Sequence, residues 1–191
     1  MREIIISTES GSDLPENLVK KYDIKVIPMH IVMDGTSYAD GTISVDKIYE
    51  YHNETKKIPT TSAVNVGEYI DFFTQIRKEH PDCVIMHLAY SSLASSTYQN
   101  AEIAIREFED IYLIDTRNVS GGCTAHLAKT YEIVQAKKDG KVCVAFVCEN
   151  TPEPLMNLDG TFSIRLSAPN TGSMDIATYY MTSFLCETSR A

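Results

Sequence analysis

The chain has 191 residues, 43% of them hydrophobic and 23% charged, the balance of a globular protein that buries a core. Seventeen basic against twenty-six acidic side chains leave a formal charge of -9, which repels phosphate backbones and anionic headgroups and argues against nucleic acid as a partner. The N-terminal MREIIISTESGSD has too short an apolar stretch for a signal peptide and no run approaches the roughly 20 residues that span a bilayer, so the expectation is a cytoplasmic protein without membrane insertion.

Glu3 to Ser7 is a short β-branched run that predicts a strand. The polar turn TESGSD follows, and then LPENLVKKY, where Leu14, Leu18, Val19 and Tyr22 recur at helical spacing behind Asp13 as a helix cap. IKVIPMHIVM is a second strand-like run in which Pro28 marks an edge or irregular position, and Asp34-Gly35 predicts a turn. From Ser44, the spacing of Ile48, Tyr49 and Tyr51 predicts a helix that ends in HNETKK. PTTSAVNVGEYIDFFTQIRKEH begins with hydroxyls and becomes an amphipathic helix through Val66, Tyr69, Ile70, Phe73 and Ile76.

Pro81-Asp82 breaks the chain before CVIMHLAY, a nearly continuous apolar run of the kind found in strands covered on both faces. The hydroxyl cluster SSLASST comes next, then a helix to about Phe108, a strand in IYLIDT, a turn in RNVSGG, and a helix from about Cys123 to Lys138. GKVCVAFV is a last strand candidate. From CENTPEP onward, Pro152, Pro154, Pro169 and scattered Gly, Ser and Thr interrupt every run.

Alternating strands and helices of these lengths predict an α/β fold, a parallel doubly wound sheet with helices on both faces. The expected organisation is an α/β domain over residues 1–150 followed by a short irregular C-terminal segment, 151–191, whose best strand candidate is TFSIRLSA. The five cysteines, Cys83, Cys123, Cys143, Cys148 and Cys186, are odd in number and scattered without a C-x-x-C pair, so they read as reduced thiols and neither a disulfide framework nor a metal site is expected.

Ligands of an open parallel sheet bind outside the carboxyl ends of its strands. On the expected topology four hydroxyl-rich segments gather there: STESGS, PTTS, SSLASST and TRNVSGG. Hydroxyls and free backbone N–H groups at helix starts suit an anion. Ser and Thr are also the preferred helix caps, and each cluster taken alone is better explained by capping than by a ligand. Neither G-x-G-x-x-G nor a P-loop lysine motif is present, so a nucleotide has little support, and no cofactor is expected.

Candidates for catalysis are few. His87 sits in an apolar run and reads as a satisfied core side chain, His52 and His80 lie among charges, and His126 follows SGGC near the expected crevice. Asp115 and Glu9 stand at strand ends, where a carboxylate also holds turn amides. A small hydrolase or transferase with a loop serine as nucleophile and His126 or Asp115 nearby is therefore an alternative. A scaffold that has lost ligand binding is another.

The same residues carry a family resemblance. TESGSDLP, YDIKVIPMHIVMDGTSYADG, IPTTSAVNVGEY, SSLASSTYQNA and DTRNVSGG stand in the order of the motifs of the DegV proteins, which the chain resembles over residues 1 to 138. It departs from their pattern at Glu9, where Asp is usual, at Ala63 and Val64 in place of Gln-Pro, and at Ala94 and Ser96 in place of Leu and Gly. The resemblance implies a bacterial lipid-binding protein that carries a long-chain fatty acid. Its carboxylate would be held by Thr61, Ser92 and Ser95, with Ser62, Ser91 and Thr97 in support. It further implies a substrate-presenting subunit for a separate fatty-acid kinase, not a catalyst. The family's acyl tunnel lies largely between two domains, and residues beyond 138 show no counterpart of the second, including its Gly-Gly-Arg segment. Oligomeric state and acyl-chain length are not written in the sequence.

Overall fold

The structure, a computed structural model, describes residues 2–138 and three short strands at 145–147, 163–166 and 179–182. The chain divides into two compact units, Met1–Thr124 and Ala125–Ala191.

The first unit is built on a four-stranded parallel sheet. Its strands are β1 (Ile4–Glu9), β2 (Lys25–Ile27), β6 (Val84–Ala89) and β7 (Ile111–Asp115), in the order β2-β1-β6-β7. The central pair is in register from Ile4 opposite Val84 to Ser7 opposite His87. Ile6, Met86 and Leu88 point to one face, Ile5 and Ile85 to the other, and all five are out of solvent, as parallel strands covered on both sides require. Helices flank the sheet as the alternation of elements predicts: α1 (Glu16–Tyr22), α3 (Val66–Glu79) and α4 (Thr97–Ala104) all lie in this unit.

A second, antiparallel sheet of order β4-β3-β5 contains β3 (His30–Met33), β4 (Thr36–Ala39) and β5 (Thr60–Ser62). Its hairpin turns at Asp34 and Gly35, both with positive φ (47° and 80°), the geometry that suits the right-handed twist of two-residue hairpins. Helix α2 (Val45–Thr55) starts at Ser44, whose hydroxyl accepts the Lys47 N–H. In the second unit, α5 (Gly121–Lys138) continues from its first turn, and β8 (Ala145–Val147), β9 (Ser163–Leu166) and β10 (Tyr179–Thr182) form an antiparallel sheet of order β8-β10-β9. β9 falls inside TFSIRLSA. The expected boundary at 150/151, and Cys143, Cys148 and Cys186, lie outside the described residues. Cys83 and Cys123 are free thiols.

Three local expectations need correction. The run IKVIPMHIVM is two strands in two different sheets, because Pro28 has no N–H to continue a ladder and the chain turns away there. Asp13 does not cap α1: it adopts a left-handed conformation (φ 49°) at the end of a 3-10 turn, Ser10–Ser12, and Pro15 occupies the cap position. PTTS, directly before the start of α3, is not a loop, since Thr60–Ser62 pairs as an edge strand with Val32 to His30.

The core on one face of the parallel sheet is set by α3. Tyr69, Phe73 and Ile76 recur at helical spacing and are buried, and a capping box between Asn65 and Glu68 fixes where the helix begins. Glu68 also pairs with His30 of β3 at 2.9 Å, which ties the small sheet to the start of α3. Phe73 stacks on Tyr69 and meets Phe72, Phe108 and His87.

Into this apolar layer the strands place three polar side chains, Ser7, Glu9 and His87, each 1% exposed or less. They satisfy one another. Glu9 Oε1 accepts from the Tyr69 hydroxyl and from His87 Nε2 (2.9 Å), Glu9 Oε2 accepts from the Tyr90 N–H (2.8 Å), and His87 Nδ1 meets Ser7 Oγ at 2.9 Å. Each of the three side chains thus has a hydrogen-bond partner inside the layer. Burial alone would raise the Glu9 carboxyl, but the field of His87 and hydrogen bonds from His87, Tyr69 and Tyr90 outweigh it and hold the group below its ordinary value of 4.5. Tyr69 moves the other way, raised by burial and by the Glu9 charge, so it remains a donor.

Phe73→Ala is expected to cost about 3–5 kcal/mol, the range for emptying a well-packed aromatic site, read from a urea transition. Glu9→Gln is expected to cost about 3 kcal/mol or more near neutral pH, because it leaves buried donors facing an amide. A depressed folded-state carboxyl contributes stability that is full above the unfolded value and is lost as pH falls toward the folded one. The gap between wild type and Glu9→Gln should therefore narrow as pH drops below about 4.5. A gap that stays constant between pH 6 and pH 4 would contradict an ionised Glu9.

Candidate functional site

The strand order reverses between β1 and β6, so the crevice outside their carboxyl ends is the topological switch point where open α/β sheets take ligands. Three loops border it: 10–15 after β1, 90–96 after β6 and 116–120 after β7. They are stitched to each other. Tyr90 donates its N–H to Glu9, Ser91 N–H to Asn118 O (3.2 Å), Ser120 N–H to Gly11 O (3.1 Å), and Thr116 gives both its N–H and its hydroxyl to Ala89 O. Asp13, Arg117 and Ser120 in these loops are left-handed (φ 49°, 47° and 48°), a backbone cost that such cross-links can sustain. At Gly11 a Cβ would lie 2.9 Å from Met29 Sδ and 3.0 Å from the Tyr90 ring, so a side chain there requires one of them to shift.

The hydroxyl loop spends most of its polar groups on itself. The amides of Ser92, Leu93, Ala94, Ser95 and Thr97 go to Asp115 Oδ1, Ser91 Oγ, Ser91 O, Ser91 O and Ser95 Oγ. The expectation of several free amides at this loop is thus corrected: a seven-residue loop with no flanking ladder satisfies its donors with the serines it carries. Ser91 is buried in that role, and Ser92 gives its hydroxyl hydrogen to Asp115 Oδ2. Asp115 also accepts the Arg117 N–H (2.9 Å), so it fastens the loops after β6 and β7 together.

Ser95 is different. It is partly exposed, its oxygen accepts the Thr97 N–H (3.2 Å), and it lies 2.7 Å from the hydroxyl of Thr97, which is fully buried. When Thr97 donates along that contact, Ser95 accepts twice and its own hydrogen is left for a group in the crevice, strengthened by the donors behind it. On the same loop Leu93 is 78% exposed, and Val119, on the loop after β7, is 44% exposed.

Thr61 and Ser62 lie on β5 with their side chains exposed, opposite Ile31 and His30. The chain just beyond them reaches α4: Asn100 Nδ2 donates to Val64 O at 2.7 Å, two residues after Ser62 and one helical turn after Thr97. That bond ties the chain just after the PTTS strand to the helix that begins at the hydroxyl cluster.

Of the groups considered for catalysis, His126 belongs to the second unit and burial lowers its pKa. Burial raises the Cys123 thiol to about 11, which makes it a poor nucleophile. The arrangement that sequence reading missed is Ser7–His87–Glu9, a hydroxyl, an imidazole and a carboxylate in line but closed to solvent. Its trace in the sequence is Ser7 and Glu9 at alternate positions of the polar end of a strand that begins Ile-Ile-Ile, with His87 set in CVIMHLAY. Among the described residues no cluster of three or more His, Cys, Asp or Glu is placed to hold a metal ion, and no helix is long and apolar enough to cross a membrane.

Comparison with known proteins agrees with this architecture. The family model described as "Uncharacterised protein, DegV family" matches residues 3–151. A DegV domain-containing protein of Clostridium perfringens is 32% identical over 149 residues, covering 74% of this chain and 50% of that protein. A DegV family protein from Thermus thermophilus, described as fatty-acid binding, superposes with a TM-score of 0.62 at 25% identity, over 76% of this chain and 55% of that one. A Thermotoga maritima protein, described as revealing a fatty-acid-binding function, gives 0.62 at 26% identity over 73% and 51%. The chain spans about half the length of the clostridial relatives it matches. With a family model covering most of its length and the parallel sheet in common with these structures, the chain belongs to the DegV family.

Proposed function

We propose that this chain binds a long-chain fatty acid by its carboxylate at the crevice outside β1, β6 and β7, and is a lipid-binding subunit, not an enzyme. The observation that carries the reading is Ser95, whose oxygen takes the Thr97 N–H and lies against the Thr97 hydroxyl, so that its hydrogen can meet an ionised acceptor. Several neutral donors replace the hydration of a carboxylate without a buried counter-charge. Thr61 is the second donor, with Ser62 beside it on β5. Ser92 acts through Asp115, since its hydrogen is already committed there, and Ser91 and Thr97 hold the loop in shape. The exposed Leu93 and Val119 offer apolar surface for the start of an acyl chain. The fatty-acid-binding descriptions of the Thermus and Thermotoga proteins support the ligand class. A separate fatty-acid kinase, acting on the acid this protein presents, is the partner we propose. Placement in the cytoplasm goes with that role.

Thr61→Ala and Ser95→Ala are each expected to weaken oleate binding by about 1–3 kcal/mol, the usual cost of losing a hydrogen bond to a charged group. Isothermal titration on the purified chain measures this, and unchanged affinity in both variants would remove the site assignment. The competing reading, a serine hydrolase or transferase, has a concrete weakness: the Ser92 hydroxyl is bonded to a carboxylate, and the one Ser–His–acid arrangement is sealed. A serine-reactive fluorophosphonate is accordingly expected to leave the native protein unlabelled, and stoichiometric labelling of a crevice serine would favour the enzyme. A folded chain that stays empty in excess oleate would favour the scaffold.

A further inference from the structure

The hydroxyls along the carboxyl edge of the parallel sheet are almost fully accounted for. Ser7 meets His87, Thr8 donates to Leu88 O (2.8 Å), Ser10 accepts the Met29 N–H (3.0 Å), Ser91 accepts from Leu93, Ser92 donates to Asp115 and Thr116 donates to Ala89 O. Ser12 stands apart. It is 1% exposed, and its Oγ is the one buried side-chain nitrogen or oxygen without a hydrogen-bond partner among the described residues. An orphaned buried hydroxyl is uncommon and costs stability, so it asks for a partner that the folded chain does not itself supply.

The turn that carries Ser12 cannot move to find one. Ser10 and Asp13 close it on themselves (Asp13 N–H to Ser10 O, 2.9 Å), Ser120 N–H grips Gly11 O, and the Thr124 hydroxyl donates to Ser12 O at 2.8 Å. The backbone of Ser12 is thus held from the loop after β7 and from the first turn of α5, while its side chain is idle. At the neighbouring Gly11, the nearest atoms to the position a Cβ would take are Met29 Sδ and two atoms of the Tyr90 ring. The methionine is a flexible thioether, and both residues are partly exposed.

We infer that Ser12 is a further ligand-binding residue, whose hydroxyl donates to the ionised oxygen of a carboxylate seated between the loops after β1 and β6. This rests on the fatty-acid reading above and extends its donor set to the loop after β1, which that reading does not use. A hydroxyl gains most from a charged acceptor, and a bound acid brings one, whereas Glu9 and Asp115 at this edge already take other donors.

The test is Ser12→Ala in the full chain, read by the melting temperature without ligand and by titration with oleate and with methyl oleate, which lacks the charge. Removing an orphan of the empty state is expected to leave the melting temperature unchanged or raise it, while oleate affinity falls about 5- to 50-fold, the loss of one hydrogen bond to a charged acceptor. Methyl oleate, however weakly it binds, is expected to bind both forms alike. Unchanged oleate affinity overturns the inference, with a lowered melting temperature then pointing to a buried water as the partner of Ser12. Equal losses for oleate and its ester also overturn it, since they report altered shape and not a lost bond to charge. Wild-type protein that binds no oleate overturns the fatty-acid reading as a whole, and normal wild-type binding with an unaffected variant overturns Ser12 alone.

Discussion

A carboxylate buried in the middle of an apolar layer is the constraint around which the first unit is arranged. Glu9 ends β1 inside the fold, and an ionised group there persists only when several donors are delivered to it at fixed angles. The donors come from α3 (Tyr69), from β6 (His87) and from the first residue of the hydroxyl loop (Tyr90). The demand of one anion therefore sets the height of α3 over the sheet, the alignment of the two central strands, and the point at which the loop after β6 departs. The crevice inherits its shape from that departure.

The loops beyond the carboxylate show a second economy. A region rich in serine and threonine looks, residue by residue, like a surface crowded with donors for a ligand. Most of those donors hold the loop itself: Ser91 and Ser95 accept backbone amides, and Asp115 gathers an amide and a hydroxyl from the loop after β6 and an amide from its own. Irregular backbone that packs against a sheet has to find partners for its N–H groups, and short polar side chains are the nearest supply. What is left over is small in number and well oriented. Selectivity for one oxygen geometry follows more readily from two or three fixed hydrogens than from a mobile polar surface.

Much of the fold was legible in the sequence because it rests on local periodicity. The alternation of short apolar runs with amphipathic stretches gave the parallel sheet, and Tyr69, Phe73 and Ile76 gave the buried face of α3. Pro28 was read as an irregularity, but that it sends one run into two sheets depends on pairing with β5, thirty residues on, which no local window contains. For the candidate site, the hydroxyl residues could be named from the sequence but their hydrogen-bond partners could not. Ser92 and Ser95 sit in one cluster, yet one is tied to Asp115 and the other is oriented by Thr97, a difference created by the loop after β7. The Glu9 network was invisible for the same reason: Ser7 and His87 are neighbours only through strand register across 80 residues.

That register also dictates when the crevice comes into being. β1 is made first but lies in the interior of the sheet, and its neighbour toward β7 is a strand that begins at Val84. Until that strand is present, β1 can pair only with the three residues of β2, and the carboxylate at its end has neither imidazole nor loop amide to receive. Contacts this distant close large loops before they return any stabilisation, which makes them slow steps in assembly. The carboxyl edge of the parallel sheet is consequently incomplete until β6 is in place, and before that the unit holds an unfinished core with a costly charge at its centre.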